Sequence, residues 1–141
     1  AMRDALAEIV AGADLAFVLV YVAFLADALL TVGAVDEARA CLQRGLGHAM
    51  QGQGVFLPEV HRLLAQVHVM SDQPAQARVA LARAGTVADE QGAASLALRA
   101  AMTGVRCKLE SDTSVLARRR LAIEGGADTR DVLEANALGA S

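Results

Sequence analysis

Histidine, cysteine and arginine are the side chains in this sequence best suited to chemistry, and their spacing bounds what that chemistry can be. His61 and His68 stand seven residues apart, two helical turns along one face, with His48 on the preceding segment. Imidazoles so placed could begin a metal site, which would need a third and fourth ligand. Glu59 and Glu90 are the available carboxylates, and neither falls in a ligand pattern with the histidines. The expectation is packing against neighbouring helices, with no metal and no other cofactor. Cys41 and Cys107 are too few and too isolated for a disulfide framework, which predicts reduced core thiols in a cytoplasmic protein, and neither has a base close by in sequence to make it a nucleophile. No G-x-x-x-x-G-K-[ST] is present, and Gly52-Gln53-Gly54 has neither a preceding strand nor a lysine, so a phosphate cradle is missing. No serine sits in G-x-S-x-G. Together these readings predict a chain that is not an enzyme.

The arginines carry more information. Arg118-Arg119-Arg120 is a charge run in a chain of net charge −3, which predicts a solvated helix face. That balance gives no electrostatic footprint for nucleic acid or an anionic membrane. Arg62 and Arg99, by contrast, fall on matching positions of a repeat described below, and Arg106 lies two turns beyond Arg99 on the same helix face. With Asp27, Glu59, Gln66 and Thr103 they form the candidate partner-binding strip, flanked by Val20, Ala23, Leu30, Val69 and Leu96. A guanidinium offers paired donors to a carboxylate, so the strip predicts an acidic peptide or protein as partner. The competing expectation is internal pairing of these arginines with Glu59, Asp27 or Glu110.

The elements that must position these residues are helices. Hydrophobic content is 55% but alanine-rich, with aromatics only 3% of the 141 residues. That composition suits closely packed helices and not strands, which favour β-branched and aromatic side chains. Pro58–Gln91 is the organising stretch. Val60, Leu63, Leu64, Val67 and Met70 make one stripe, and Ala77, Ala80, Leu81, Ala84 and Ala88 make a second. Pro74 opens the second helix after Ser71-Asp72-Gln73. The pair predicts an antiparallel hairpin that cannot bury its own stripes alone. Similar hairpins are predicted at about 14–50 and 95–123, with Asp14 as the first N-cap and terminal helices at 2–10 and 129–138. The whole, 1–141, reads as one all-α helical-repeat domain of about seven helices.

The hairpins superpose. Ala38-Arg39…Leu42, Ala77-Arg78…Leu81 and Ala117-Arg118…Leu121 share A-R-x-x-L, with the alanines 39 and 40 residues apart. Val22, Leu25, Ala26 and Leu29 match His61, Leu64, Ala65 and His68, then Leu98, Ala101, Met102 and Val105. A near-constant period with a small residue at the helix crossing predicts an α-solenoid. Ala26, Gly33 and the Glu37-Ala38 pair in G-A-V-D-E-A resemble the tetratricopeptide repeat, although these repeats are longer. Leu25–Leu30, Glu59–Leu63, Leu98–Ala101 and Glu124–Asp131 are similar to the C-terminal repeats of large bacterial signal-transduction ATPases. That resemblance implies a regulatory scaffold, the partner-binding region of a larger signalling or transcriptional regulator. It carries no activity, because the ATPase and effector motifs are absent. Gly45 departs from the alanine the repeat prefers, and the third hairpin has no glycine at its turn.

One segment invites a membrane reading. Leu15–Ala26 carries no charge, but twelve residues fall short of the ~20 a span requires. No basic region precedes it and no cleavage-type sequence follows, so neither a membrane span nor a signal peptide is expected. Phe17, Tyr21 and Phe24 cluster there, and they predict a second possibility: a self-associating cap that dimerises through these aromatics.

Overall fold

The computed structural model describes residues 17–49, 54–123, 126 and 129–139. The expected helix 2–10 and the Asp14 cap lie outside the described residues. So do Gln51–Gln53 and most of the loop before the last helix.

Seven helices and no strand occur among the described residues, in line with the expected all-α class. They are α1 (Val18–Thr31), α2 (Val35–Ala49), α3 (Leu57–Met70), α4 (Pro74–Glu90), α5 (Ala94–Arg106), α6 (Ser114–Leu121) and α7 (Arg130–Ala137). Pro58 and Pro74 both sit in the first turn of their helices, where a missing N–H costs nothing. The turn inside each hairpin is built one way. Gly33, Asp72 and Lys108 adopt left-handed backbone, at φ +79°, +56° and +56°. The N–H of each donates to the carbonyl three residues back, and the next N–H to the carbonyl five residues before it. This double bond pattern closes a helix and reverses the chain. The turn of the third hairpin, where the sequence offered no glycine, is thus made by Lys108. It ends α5 at Arg106.

Each helix packs on its successor, and the odd helices also pack on one another: α1 on α3, α3 on α5, α5 on α7. The first helices of the hairpins therefore form one layer, backed by α2, α4 and α6. Small residues set the approach. Ala26, Ala38, Ala65 and Ala77 are completely buried, while Ala117 is half-buried. Gly45 is buried as well, and a Cβ there would lie 2.7 Å from Val22 Cγ1. The departure from alanine at this position is thus demanded by the closeness of α1 to α2. Val18, Leu19, Leu42, Val60, Leu63 and Val67 fill the main core, each adding ~1.5–3 kcal/mol by its burial. Met70, expected in the α3 stripe, is half exposed, since it lies at the end of that helix. A smaller cluster of Leu98, Met102, Leu116, Val132 and Ala135 holds α7 against α5 and α6.

Candidate partner-binding cleft

The layer of odd helices carries a polar cleft of about 240 Å³. Of the seven residues expected to line a groove, Asp27, Arg62, Gln66, Arg99, Thr103 and Arg106 do line it. Glu59 lies beneath, joined to two of them. Met102, Arg130, Asp131 and Glu134 complete the walls.

The cleft is organised around Glu59. This carboxylate occupies the first turn of α3, where the helix dipole favours an anion, and it is only 5% exposed. Burial of a lone charge would be costly, and the neighbours neutralise it. Arg62 donates through Nε to Oε2 at 2.9 Å and through Nη2 to Oε1 at 2.8 Å. Arg99, one repeat on, donates to Oε1 at 3.1 Å. Arg62 Nη1 also donates to Thr103 Oγ1 at 3.2 Å, and that hydroxyl donates to the Arg99 carbonyl. Helices α3 and α5 are thereby stitched through one buried network.

The expected basic strip is therefore corrected in two respects. Arg62 is 6% exposed and bonded to both Glu59 and Thr103, so it is held in the network at the cleft wall and does not stand open as a free cation. Arg99 and Arg106 are more exposed, but α7 answers them: Arg99 Nε lies 3.5 Å from Asp131 Oδ2, and Arg106 pairs with Glu134. With Arg130 and Asp27, the cleft holds four cations against four carboxylates. Internal pairing with Glu59 was anticipated as the competing expectation, and it is observed; pairing with Asp27 or Glu110 is not observed for these arginines.

Asp131 and Glu134 are the site residues that sequence reasoning missed. Their signal was the repeat period itself. Glu59, Leu96 and Asp131 are 37 and 35 residues apart, as are Arg62, Arg99 and Glu134. Extending the shrinking period by one step would have put α7 in the odd layer.

The other candidates fall elsewhere. His61 and His68 line a more apolar hollow of about 440 Å³ with Leu46, Val79 and Arg83. Burial, assisted by the Arg83 charge, holds the His61 imidazole below its ordinary pKa. His68 Nδ1 meets Gln73 Oε1 at 2.7 Å. His48 is half-buried near the end of α2 and Glu90 is exposed at the end of α4. Among the described residues no group of three or more His, Cys, Asp or Glu is arranged to hold a metal ion. Cys41 is buried with its thiol 3.7 Å from the Val22 carbonyl, and Cys107 is half-buried. Burial pushes both thiols up, against weaker opposing arginine charges. Such thiols are poor nucleophiles.

The arginine run is also corrected. Arg119 forms a two-pronged pair with Asp89 of α4, and Arg120 donates to Asn136 of α7, so two of the three tie α6 to its neighbours. Only Arg118 meets the expectation of a solvated position. No helix among the described residues is long and apolar enough to cross a membrane. Compared with known proteins, the chain matches no family model, no curated protein and no solved structure.

Proposed function

We propose that the chain is a non-enzymatic, TPR-like α-solenoid segment that binds a protein or peptide partner in the cleft of its odd helices. The observation that carries this reading is the convergence of Arg99, Thr103 and Arg106 with the acidic face of α7 in one polar cleft. A partner bearing two carboxylates at similar spacing would replace Asp131 and Glu134 on Arg99 and Arg106. The exchange costs little, because ion pairs this exposed contribute ~0–1 kcal/mol each. Arg62 and Glu59 stay paired and hold the helices in register while the outer arginines change partners. The likeness of the repeats to regulatory arrays favours a partner-binding region of a larger bacterial signalling or transcriptional regulator.

Fluorescence anisotropy with a labelled glutamate-rich helical peptide tests this, using a glutamine version as control. The acidic peptide should bind more tightly than the control, weaken with added salt, and lose affinity to an Arg99→Ala/Arg106→Ala protein. Equal affinity for the two peptides, or binding unaffected by the double replacement, would contradict the proposal.

A further inference from the structure

The repeat register assigns a meaning to the aromatic face of α1. Tyr21, Val60, Ala97 and Val132 are equivalent positions, 39, 37 and 35 residues apart. Phe24, Leu63, Ala100 and Ala135 follow with the same steps. In α3, α5 and α7 these positions are at most 4% exposed. There they meet the preceding hairpin: Ala97 and Ala100 share a hollow with Leu81, Ala82 and Gly85 of α4. Val132 and Ala135 likewise share a core with Leu98, Met102 and Leu116. On α1 alone the face is open. Phe17, Tyr21 and Phe24 are 56%, 46% and 68% exposed, and no helix among the described residues precedes α1. Three of the chain's four aromatics are on this face.

We propose that this face is a homotypic interface, in which α1 packs antiparallel on α1 of a second copy across a twofold axis. The spacing favours a helix as occupant: Phe17, Tyr21, Phe24, Ala28 and Thr31 alternate by four and three residues, the seam of a two-helix coil. The taper favours a second copy. The stripe is bulky at its N-terminal end and small at Ala28 and Thr31, and an antiparallel mate sets bulky against small along its length. Phe24 then meets its own counterpart on the axis, where offset aromatic stacking is favourable. Charge does not oppose the pairing. The one charged residue of α1, Asp27, lines the polar cleft. Contact through one short helix per copy makes an interface of the small class that weak, transient pairs use, so association should depend on concentration.

Sedimentation equilibrium of the full chain, from low to high micromolar, tests this inference independently of the cleft. The wild type should pass from monomer to dimer with concentration. Phe24→Asp should weaken association by about thirtyfold or more, as loss of a central anchor does. Ala28→Trp should also weaken it, although it adds apolar surface, because the small end must receive the partner's aromatics. Leu133→Asp, at the opposite end of the array, should change nothing. Circular dichroism should be unaltered in all three variants, since each position is exposed. A monomer at every concentration would overturn the inference, as would association undiminished by Phe24→Asp, strengthened by Ala28→Trp or abolished by Leu133→Asp.

Discussion

Replacing Gly45 and Gly47 separately by alanine sets helix propensity against packing within one helix. Both glycines lie inside α2, and alanine in a helix interior is favoured over glycine by ~1 kcal/mol. At Gly47 nothing lies within 4 Å of the added Cβ, so the full gain is expected. At Gly45 the Cβ would fall 2.7 Å from Val22 Cγ1 and 3.4 Å from Val22 Cβ and Cγ2. Val22 is buried and stiff at χ1, so α1 and α2 must separate, and overpacking of this kind costs ~1–3 kcal/mol. Subtracting the propensity gain leaves a net loss of ~1 kcal/mol. The two substitutions should therefore move the melting temperature in opposite directions, by ~3 °C each at this chain length. Urea unfolding followed by circular dichroism measures the free energies. Val22→Ala alone should cost ~2 kcal/mol, from two lost methyl groups and the space they leave. In that background Gly45→Ala should become stabilising, a coupling of at least ~1 kcal/mol. If Gly45→Ala stabilises the wild type as much as Gly47→Ala does, the close approach of α1 and α2 is wrong.

The same structure yields three further expectations. Arg62→Ala leaves the buried Glu59 carboxylate short of its main partner and should cost ~3–5 kcal/mol in urea unfolding, against under ~1 kcal/mol for the more exposed Arg99→Ala. The double replacement Glu59→Leu/Arg62→Met should recover most of the loss, because no charge is left buried. Lys108→Gly should stabilise by up to ~1 kcal/mol, read as a rise in melting temperature, because a side chain at φ +56° carries a steric cost that glycine lacks. His61 is held neutral by burial and by Arg83, so the unfolded chain binds a proton more readily. Its contribution is complete above the ordinary imidazole value of 6.5 and is lost as pH falls through the lower folded value. Melting temperature should fall more steeply below pH 6.5 in the wild type than in His61→Leu.

Much of the architecture could be read from the sequence because hairpin stacking imposes recurrence. Ala38 and Ala77 must be small where helices cross, and Pro58 and Pro74 mark helix starts by their missing N–H. Six of the candidate groove residues share the cleft for the same reason. Asp27, Gln66 and Thr103 hold one register position, Arg62 and Arg99 a second and Arg106 a third. All three positions lie on the face that the first helices turn to one layer. What stayed hidden depends on contacts distant in sequence. Nothing local to Arg99 says that Asp131 will reach it, and the period shortens from 39 to 35 residues before α7, which masks the fourth equivalent helix. Gly45 read as a defect because its reason lies on another helix, in Val22. Lys108 gave no turn signal because lysine rarely adopts the left-handed backbone that the third hairpin requires.

The central claim is that an acidic partner enters the cleft by exchanging with α7 on Arg99 and Arg106. Amide-resolved NMR of the full chain, titrated with the glutamate-rich peptide, tests it most directly. Shifts should concentrate on α5 around Arg99, Thr103 and Arg106 and on α7 around Asp131 and Glu134, leaving α2 and α4 unmoved. Shifts centred on the His61 and His68 hollow or on the aromatic face of α1, or no shifts at saturating peptide, would contradict the account.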